Sequence, residues 1–418
     1  MRKKLLYTLF ILFIFRLGAS IPVPFITSSA LTQMFSNGNM LAYLDMMSGG
    51  ALSRCTLFAL GVTPYINASI IVQLLTVAIP SLENLAKEPD GQTKLQQITR
   101  YAGGIIGLVM SIGYYFVIRN MGALKYTSGT AGIFTAVVII ATFTAGAQLI
   151  TWCGEQIDDK GIGNGLSLLI FSSIVSNWSS LYTTVAGLLT RAAAGETQFY
   201  ILLPLLVVLA LVVIVFIVIM TNAERRITIQ YAKRVVGRKQ MGGQNSYLPL
   251  KLNMTGVMPI IFASALVSIP GTIGSFMQVD QAAHPFWYAF FRTFNYTSPL
   301  YVVIYLLLIL AFNYFYVAIQ YNPVEIANNL RRNNGSIPGF RPGKPTSDFI
   351  TRTLNKITLI GAIFLAVVAV LPIVLGNLTG MSIQLGGTSL LIVVGVALDT
   401  TRSLDSFMTM RSHKGFLG

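Results

Sequence analysis

Ten apolar stretches, each about as long as a bilayer is thick, constrain this chain more than any other feature. They run over residues 4–21, 62–80, 101–119, 131–151, 164–183, 199–221, 253–275, 299–320, 354–376 and 383–404. An apolar segment of about 20 residues crosses the hydrocarbon core as a helix, because no water is present there to satisfy open backbone N–H and C=O groups. The pattern predicts an all-α membrane protein with both ends on one side. Composition agrees: 10% of the residues are charged, where a soluble domain carries about 25%.

Basic residues give the orientation. All but six of the 29 Lys and Arg residues fall in the segments that lie inside if the N-terminus does. The exceptions are Arg16, Arg54, Arg119, Lys125, Arg191 and Arg292. Positive charge accumulates on the cytoplasmic side, so both termini are expected there. The start, MRKKLLYTLFILFIFRLGAS, has the outline of a signal peptide, but Arg16 and the many later spans favour a retained first span. The expected topology puts Cys55 and Cys153 on opposite sides, and likewise His284 and His413, so neither a disulfide nor a metal site is expected.

Ten spans divide into halves of five, 1–183 and 184–418. An odd number per half inverts one half relative to the other, an arrangement that places a shared site near the midplane. Small residues recur in Tyr101–Gly113 and Thr130–Gly146, as expected of tightly packed helices.

The stretch Gly49–Pro80 departs from the spanning pattern. It starts with a half-apolar segment, Ala51–Leu60, that carries Arg54 and Cys55 and is too short to span. We expect a short re-entrant helix surrounded by protein or water. After Gly61 and Pro64 an apolar helix runs to Ile79, with Ile66 and Ile70 on one face. Two inner loops, 222–252 and 320–353, are long and basic. In the first, Ile227, Ile229 and Tyr231 alternate as in a strand or hairpin. The second holds a short helical piece and a Gly/Pro-rich tip around Arg341. Such loops are plausible docking points for a partner or for RNA phosphate; the bland alternative is that their charge only sets topology or touches anionic membrane lipids.

Chemistry of other kinds is not indicated. No GxxxxGK[ST] occurs, and GIGNG at 161–165 reads as a turn with Asn164 capping a helix. Asp399 is the one carboxylate clearly inside a span. Coupled transporters place ionisable groups within their spans, so directed transport here needs a partner as its energy source. We expect no cofactor and no enzyme activity of the chain itself.

Five motifs resemble the SecY family of protein-translocase pore subunits: SGGALSRCTLFALG, TPYINASIIVQLL, MTGVMPIIFAS, IPGFRPG and GGTSLLIVVG. The resemblance covers essentially the whole chain. It implies a channel for unfolded, signal-sequence-bearing polypeptides in the bacterial plasma membrane. It also implies a plug formed by Leu52, Ser53, Arg54, Cys55, Thr56, Leu57 and Phe58 within 49–61. A pore ring is implied at Ile66, Ile70, Ile170, Ile261 and Ile392, able to gate by dewetting. Spans two and seven become a lateral gate with polar residues Asn67, Gln73 and Thr255. Arg238, Lys239, Arg341 and Lys344 become contacts for the ribosome and the motor ATPase SecA, and the small subunits SecE and SecG become partners. A secondary transporter with a midplane site and a ribosome-docking scaffold without a pore remain the alternatives. A transporter would need neither the long basic loops nor the short half-helix and would want buried ionisable residues, and a scaffold would need neither the plug nor the isoleucine ring.

Overall fold

The computed structural model describes residues 2–27, 45, 48–88, 90–120, 122–176, 178–193, 198–231, 234–236, 239–241, 245–277, 285–294, 298–379 and 387–414. Helix α1 is Arg2–Gly18, α2 Thr63–Ala78, α3 Pro80–Lys87, α4 Gly91–Asn120, α5 Gly129–Lys160, α6 Gly165–Ser176 and α7 Trp178–Ala193. Then come α8 Gln198–Asn222, α9 Met258–Met277, α10 Pro285–Thr293, α11 Pro299–Gln320, α12 Pro323–Arg332, α13 Lys344–Thr379 and α14 Gly387–Lys414. Each of the ten apolar stretches is helical over most of its length. Among the described residues, five helices are long and apolar enough to cross a membrane. A sixth span results if α2 and α3 are taken together across their 105° bend. Prolines punctuate these elements. Pro64 opens α2, and Pro80 forces Ile79 into an extended conformation before α3.

Two packing series run through the bundle. In the first, α2 packs on α4, α4 on α5 and α5 on α6, with α1 against α5 and α6. In the second, α9 packs on α11, α11 on α13 and α13 on α14, with α8 against α13 and α14. Each contact of the first series named here has its counterpart in the second. The series meet along two seams, α2 and α4 against α9, and α6 against α14. Small residues permit the close approach: Gly103 and Gly107 of α4 face Pro64, Tyr65 and Ala68 of α2.

The half-apolar segment corrects the expectation of a short helix. Residues 51–62 form consecutive turns rather than an α-helix. The physical reason is that its backbone groups have partners elsewhere. Val23 N–H donates to the Cys55 carbonyl (2.8 Å), and Leu57 N–H donates to the Ile21 carbonyl (2.9 Å). Cys55 itself takes a left-handed conformation, φ 45°, which no helix interior accepts.

The two basic loops form one folded unit. Strand β1 (Glu224–Tyr231) pairs antiparallel with β4 (Asn245–Lys251), Ile227 facing Leu248 in register. Between them β2 (Arg234–Val236) and β3 (Lys239–Met241) make a small hairpin. On its other edge β1 takes β5 (Gly335–Ser336) from the second loop. Beneath this sheet, Ile227, Ile229 and Leu250 share a buried cluster with Leu330, Ile337, Ile350, Leu354 and Ile357. The alternation of Ile227 and Ile229 thus becomes a strand with one buried face. Helix α12 has its signals in order: Asn322 Oδ1 caps Val324 and Glu325, Pro323 follows, and Arg331 and Arg332 sit in the last turn.

Candidate functional site

Ile66 and Ile70 from α2, Ile170 from α6, Ile261 from α9 and Ile392 from α14 all lie in one contiguous apolar cluster, none more than 7% exposed. Their helices come from both packing series and from both seams. Leu168 and Leu169 flank Ile170 in the same cluster. Asn164 caps α6 as expected, its Oδ1 accepting from Ser167 N–H (3.0 Å).

The 51–62 turns are seated against this cluster, and Ala51, Phe58 and Val62 belong to it. Leu52 and Cys55 are buried in an adjoining cluster with Tyr114 and Phe143. Phe58 stacks on Phe15 with ring centroids 5.6 Å apart and lies directly over Gly18, where a Cβ would fall 2.1 Å from the ring. A Cβ on Gly146 of α5 would fall 1.9 Å from the Leu57 carbonyl oxygen, and one on Gly49 would meet the Ser173 carbonyl at 2.9 Å. Three helices therefore present glycines or bare backbone to this segment. Arg54 alone of Ala51–Phe58 is exposed.

Sequence reasoning missed Asp45. Its carboxylate accepts from Ser53 N–H (2.7 Å), and its carbonyl accepts from Gly50 N–H (2.8 Å) and Ser48 Oγ (2.9 Å), so it organises the entrance to the turns. Burial raises its pKa above the usual carboxylate range, against the Ser53 bonds and the charge of Arg54, which lower it. Burial, with a contribution from Asp45, also pushes the Cys55 thiol up to about 12, which leaves it an inert packing group. An acid two residues from a Met-Ser-Gly-Gly run carries no pattern that marks such a role.

At the seam of α2 and α9, Gln73 is engaged. The Tyr316 hydroxyl of α11 donates to Gln73 Oε1, and Gln73 Nε2 donates to Ser69 Oγ (3.2 Å). The Tyr316 ring packs on Phe262 of α9 with centroids 5.2 Å apart. Asn67 is buried at 8% exposure, and its Oδ1 finds no hydrogen-bond partner among the described residues. Thr255 precedes α9 and turns elsewhere: its hydroxyl donates to Asn313 Oδ1 (2.6 Å), and Asn313 Nδ2 donates to the Thr358 carbonyl (3.0 Å). Gln73 thus reaches across to α11 beside the seam, while Thr255 ties the start of α9 to α11 and α13. Tyr316 was not singled out, since a tyrosine in an apolar span has no sequence signature of its partner.

Arg341 and Lys344 are exposed at the tip and exit of the second loop. Thr346 Oγ1 donates to the Arg341 carbonyl (2.8 Å), and Phe340 packs on Phe349 (4.3 Å between centroids), so the tip is held by α13. Arg238 lies outside the described residues, and Lys239 opens β3.

The SecY family model matches residues 56–401. Protein translocase subunit SecY of Halalkalibacterium halodurans is 40% identical over 424 residues, covering 100% of this chain and 97% of the relative. Among solved structures, the fold is shared with a SecY channel whose plug domain is described as stabilising the closed state and maintaining a membrane seal. That chain is 18% identical, with TM-score 0.61, covering 96% of this chain and 91% of that one. It is shared also with Sec61 in the canine ribosome–channel complex from the endoplasmic reticulum, at 16% identity and TM-score 0.58, with the same coverage.

Proposed function

The chain belongs to the SecY family, and from that premise we propose that it is the protein-conducting channel of a bacterial Sec translocase. It passes unfolded, signal-bearing polypeptides across the plasma membrane and releases apolar segments sideways. The observation that carries this reading is the buried isoleucine cluster drawn from α2, α6, α9 and α14, with the 51–62 turns packed against it. Ile66, Ile70, Ile170, Ile261 and Ile392 form the ring, whose apolar side chains accommodate any sequence yet leave ions unhydrated. The turns are the plug. Ten spans in two inverted halves of five, with both termini inside, account for the paired packing series and the positive-inside charge. SecE and SecG complete the complex. SecA and the ribosome supply the driving force at the basic-loop unit through Arg238, Lys239, Arg341 and Lys344, since a channel subunit of this family is not an enzyme.

The test is crosslinking along a stalled secretory chain. A photocrosslinker at Ile66 should capture the chain, and one at Val212, exposed on the outer face of α8, should not. Absence of crosslinks from Ile66 while ribosomes still bind the complex would favour a docking scaffold without a pore.

The α2–α9 seam is the lateral gate in this reading, and Gln73 with Tyr316 is its latch. A polar pair between membrane helices contributes on the order of 1 kcal/mol. Tyr316→Phe should therefore shift the gate towards open by about fivefold and let weaker signal sequences through. Gln73→Leu should do the same, and the double variant should add little beyond either single change. Translocation assays with a graded set of signal hydrophobicities read this out. Unchanged thresholds in both single variants would leave the pair a packing detail.

A further inference from the structure

The nine-residue helix α10, PFWYAFFRT, joins α9 to α11 at the end of the bundle opposite the basic-loop unit. It is far too short to span a bilayer, yet it exposes large rings. Phe286 is 73% exposed, Trp287 51% and Phe290 41%. The rings brace one another: Trp287 stacks on Phe291 (6.0 Å) and meets Phe286 and Phe290 edge-on. The other side of α10 is fixed to α9, where Phe291 sits so close to Gly274 that a Cβ there would fall 2.7 Å from the ring.

The exposed rings do not stand alone. Ile269 and Ile273 at the same end of α9 are exposed, and so are Leu300, Val303 and Leu307 at the start of α11. In a multi-pass membrane protein these are lipid-facing positions, and α10 continues their apolar surface outward. Aromatic side chains concentrate at the membrane–water boundary, where an apolar body and a polar edge both find a suitable solvent. Amphipathic helices lie in that plane with one face sunk among the acyl chains.

We propose that α10 is an interfacial anchor: its Phe286, Trp287 and Phe290 insert into the outer leaflet at headgroup depth and hold the outer end of α9 to the lipid. The occupant of this surface is phospholipid rather than another protein, because the patch is continuous with the lipid-facing faces of both helices it joins. This inference stands on the membrane topology, not on the pore, so a failure of the channel reading leaves it open to its own test.

Trp287 is one of three tryptophans, so Trp152→Phe with Trp178→Phe isolates its emission. The intact complex in proteoliposomes would be titrated with phospholipids brominated high or low on the acyl chain, and with aqueous iodide. The expected result is strong loss of emission with the high label, less with the low label and little with iodide, as for a ring at headgroup depth. Strong iodide quenching with no effect of bromolipid would place the helix in water and overturn the proposal. Protection from all three quenchers would show that protein covers it, and would overturn it equally. Phe286→Ser with Phe290→Ser, at exposed positions that leave the bundle intact, should exchange bromolipid for iodide quenching. An unaltered profile in that variant would remove these rings from the anchor.

Discussion

In the proposed channel, replacing Gly146 by valine is expected to open an ion leak at rest while leaving translocation possible. A Cβ at Gly146 would stand 1.9 Å from the Leu57 carbonyl oxygen. Both groups are backbone-bound, so no rotamer change relieves the overlap, and the 51–62 turns must lift or α5 must shift. Overpacking of this kind costs about 1–3 kcal/mol. Against it stands the burial of Leu52 and Phe58, at 3% and 1% exposure, worth about 1.5–3 kcal/mol each. The seated state therefore survives but loses ground, and the unseated fraction should rise roughly 5- to 150-fold. Ion flux across proteoliposomes with no substrate measures that fraction. Removing Leu52–Phe58 altogether should give a larger leak. Gly187→Val is the control, since a Cβ there meets nothing within 4 Å. A tight membrane in both the Gly146→Val and the deletion proteins would mean that the isoleucines seal the channel unaided.

Local signals in this chain are strong and non-local ones weak, as particular residues make plain. That the ten apolar stretches are largely helical was legible, because an apolar run of that length in hydrocarbon satisfies its backbone only as a helix. Helix α12 was legible because Asn322, Pro323 and the terminal arginines act over a few bonds. The alternation of Ile227 and Ile229 announced a strand, but not that its second edge would be taken by Gly335 and Ser336 from the other loop. The half-apolar pattern of Ala51–Leu60 suits a helix, yet residues 51–62 form turns. What decides the matter is pairing with Ile21 and Val23 and the left-handed Cys55, neither of which composition encodes. Non-local contacts of this kind, like Tyr316 with Gln73, leave no periodicity behind.

The joining of the two loops leads to the second large effect. Arg341 is exposed, and its bond to Thr346 runs through its backbone carbonyl, so Arg341→Ala should leave the fold intact. An arginine at the centre of a docking surface is commonly worth about 2–4 kcal/mol, so under the proposed docking of SecA at this unit, binding should weaken by roughly 30- to 1000-fold. A change far away in sequence should do nearly the same. Ile229 is 3% exposed in the cluster that also holds Ile337 and Ile350, and β1 carries β5 through Gln230 and Tyr231. Ile229→Asp buries a charge without a partner, which costs several kcal/mol. The sheet then opens, and the tip that presents Arg341 loses its support four residues after Ile337. Gln230→Ala, at an exposed side chain whose backbone pairing to Ser336 is retained, should bind normally. Affinity of the purified complex for SecA, measured for the three variants, separates one docking unit from two. If Ile229→Asp binds as well as Gln230→Ala while Arg341→Ala does not, the loops act independently and the shared sheet serves stability alone.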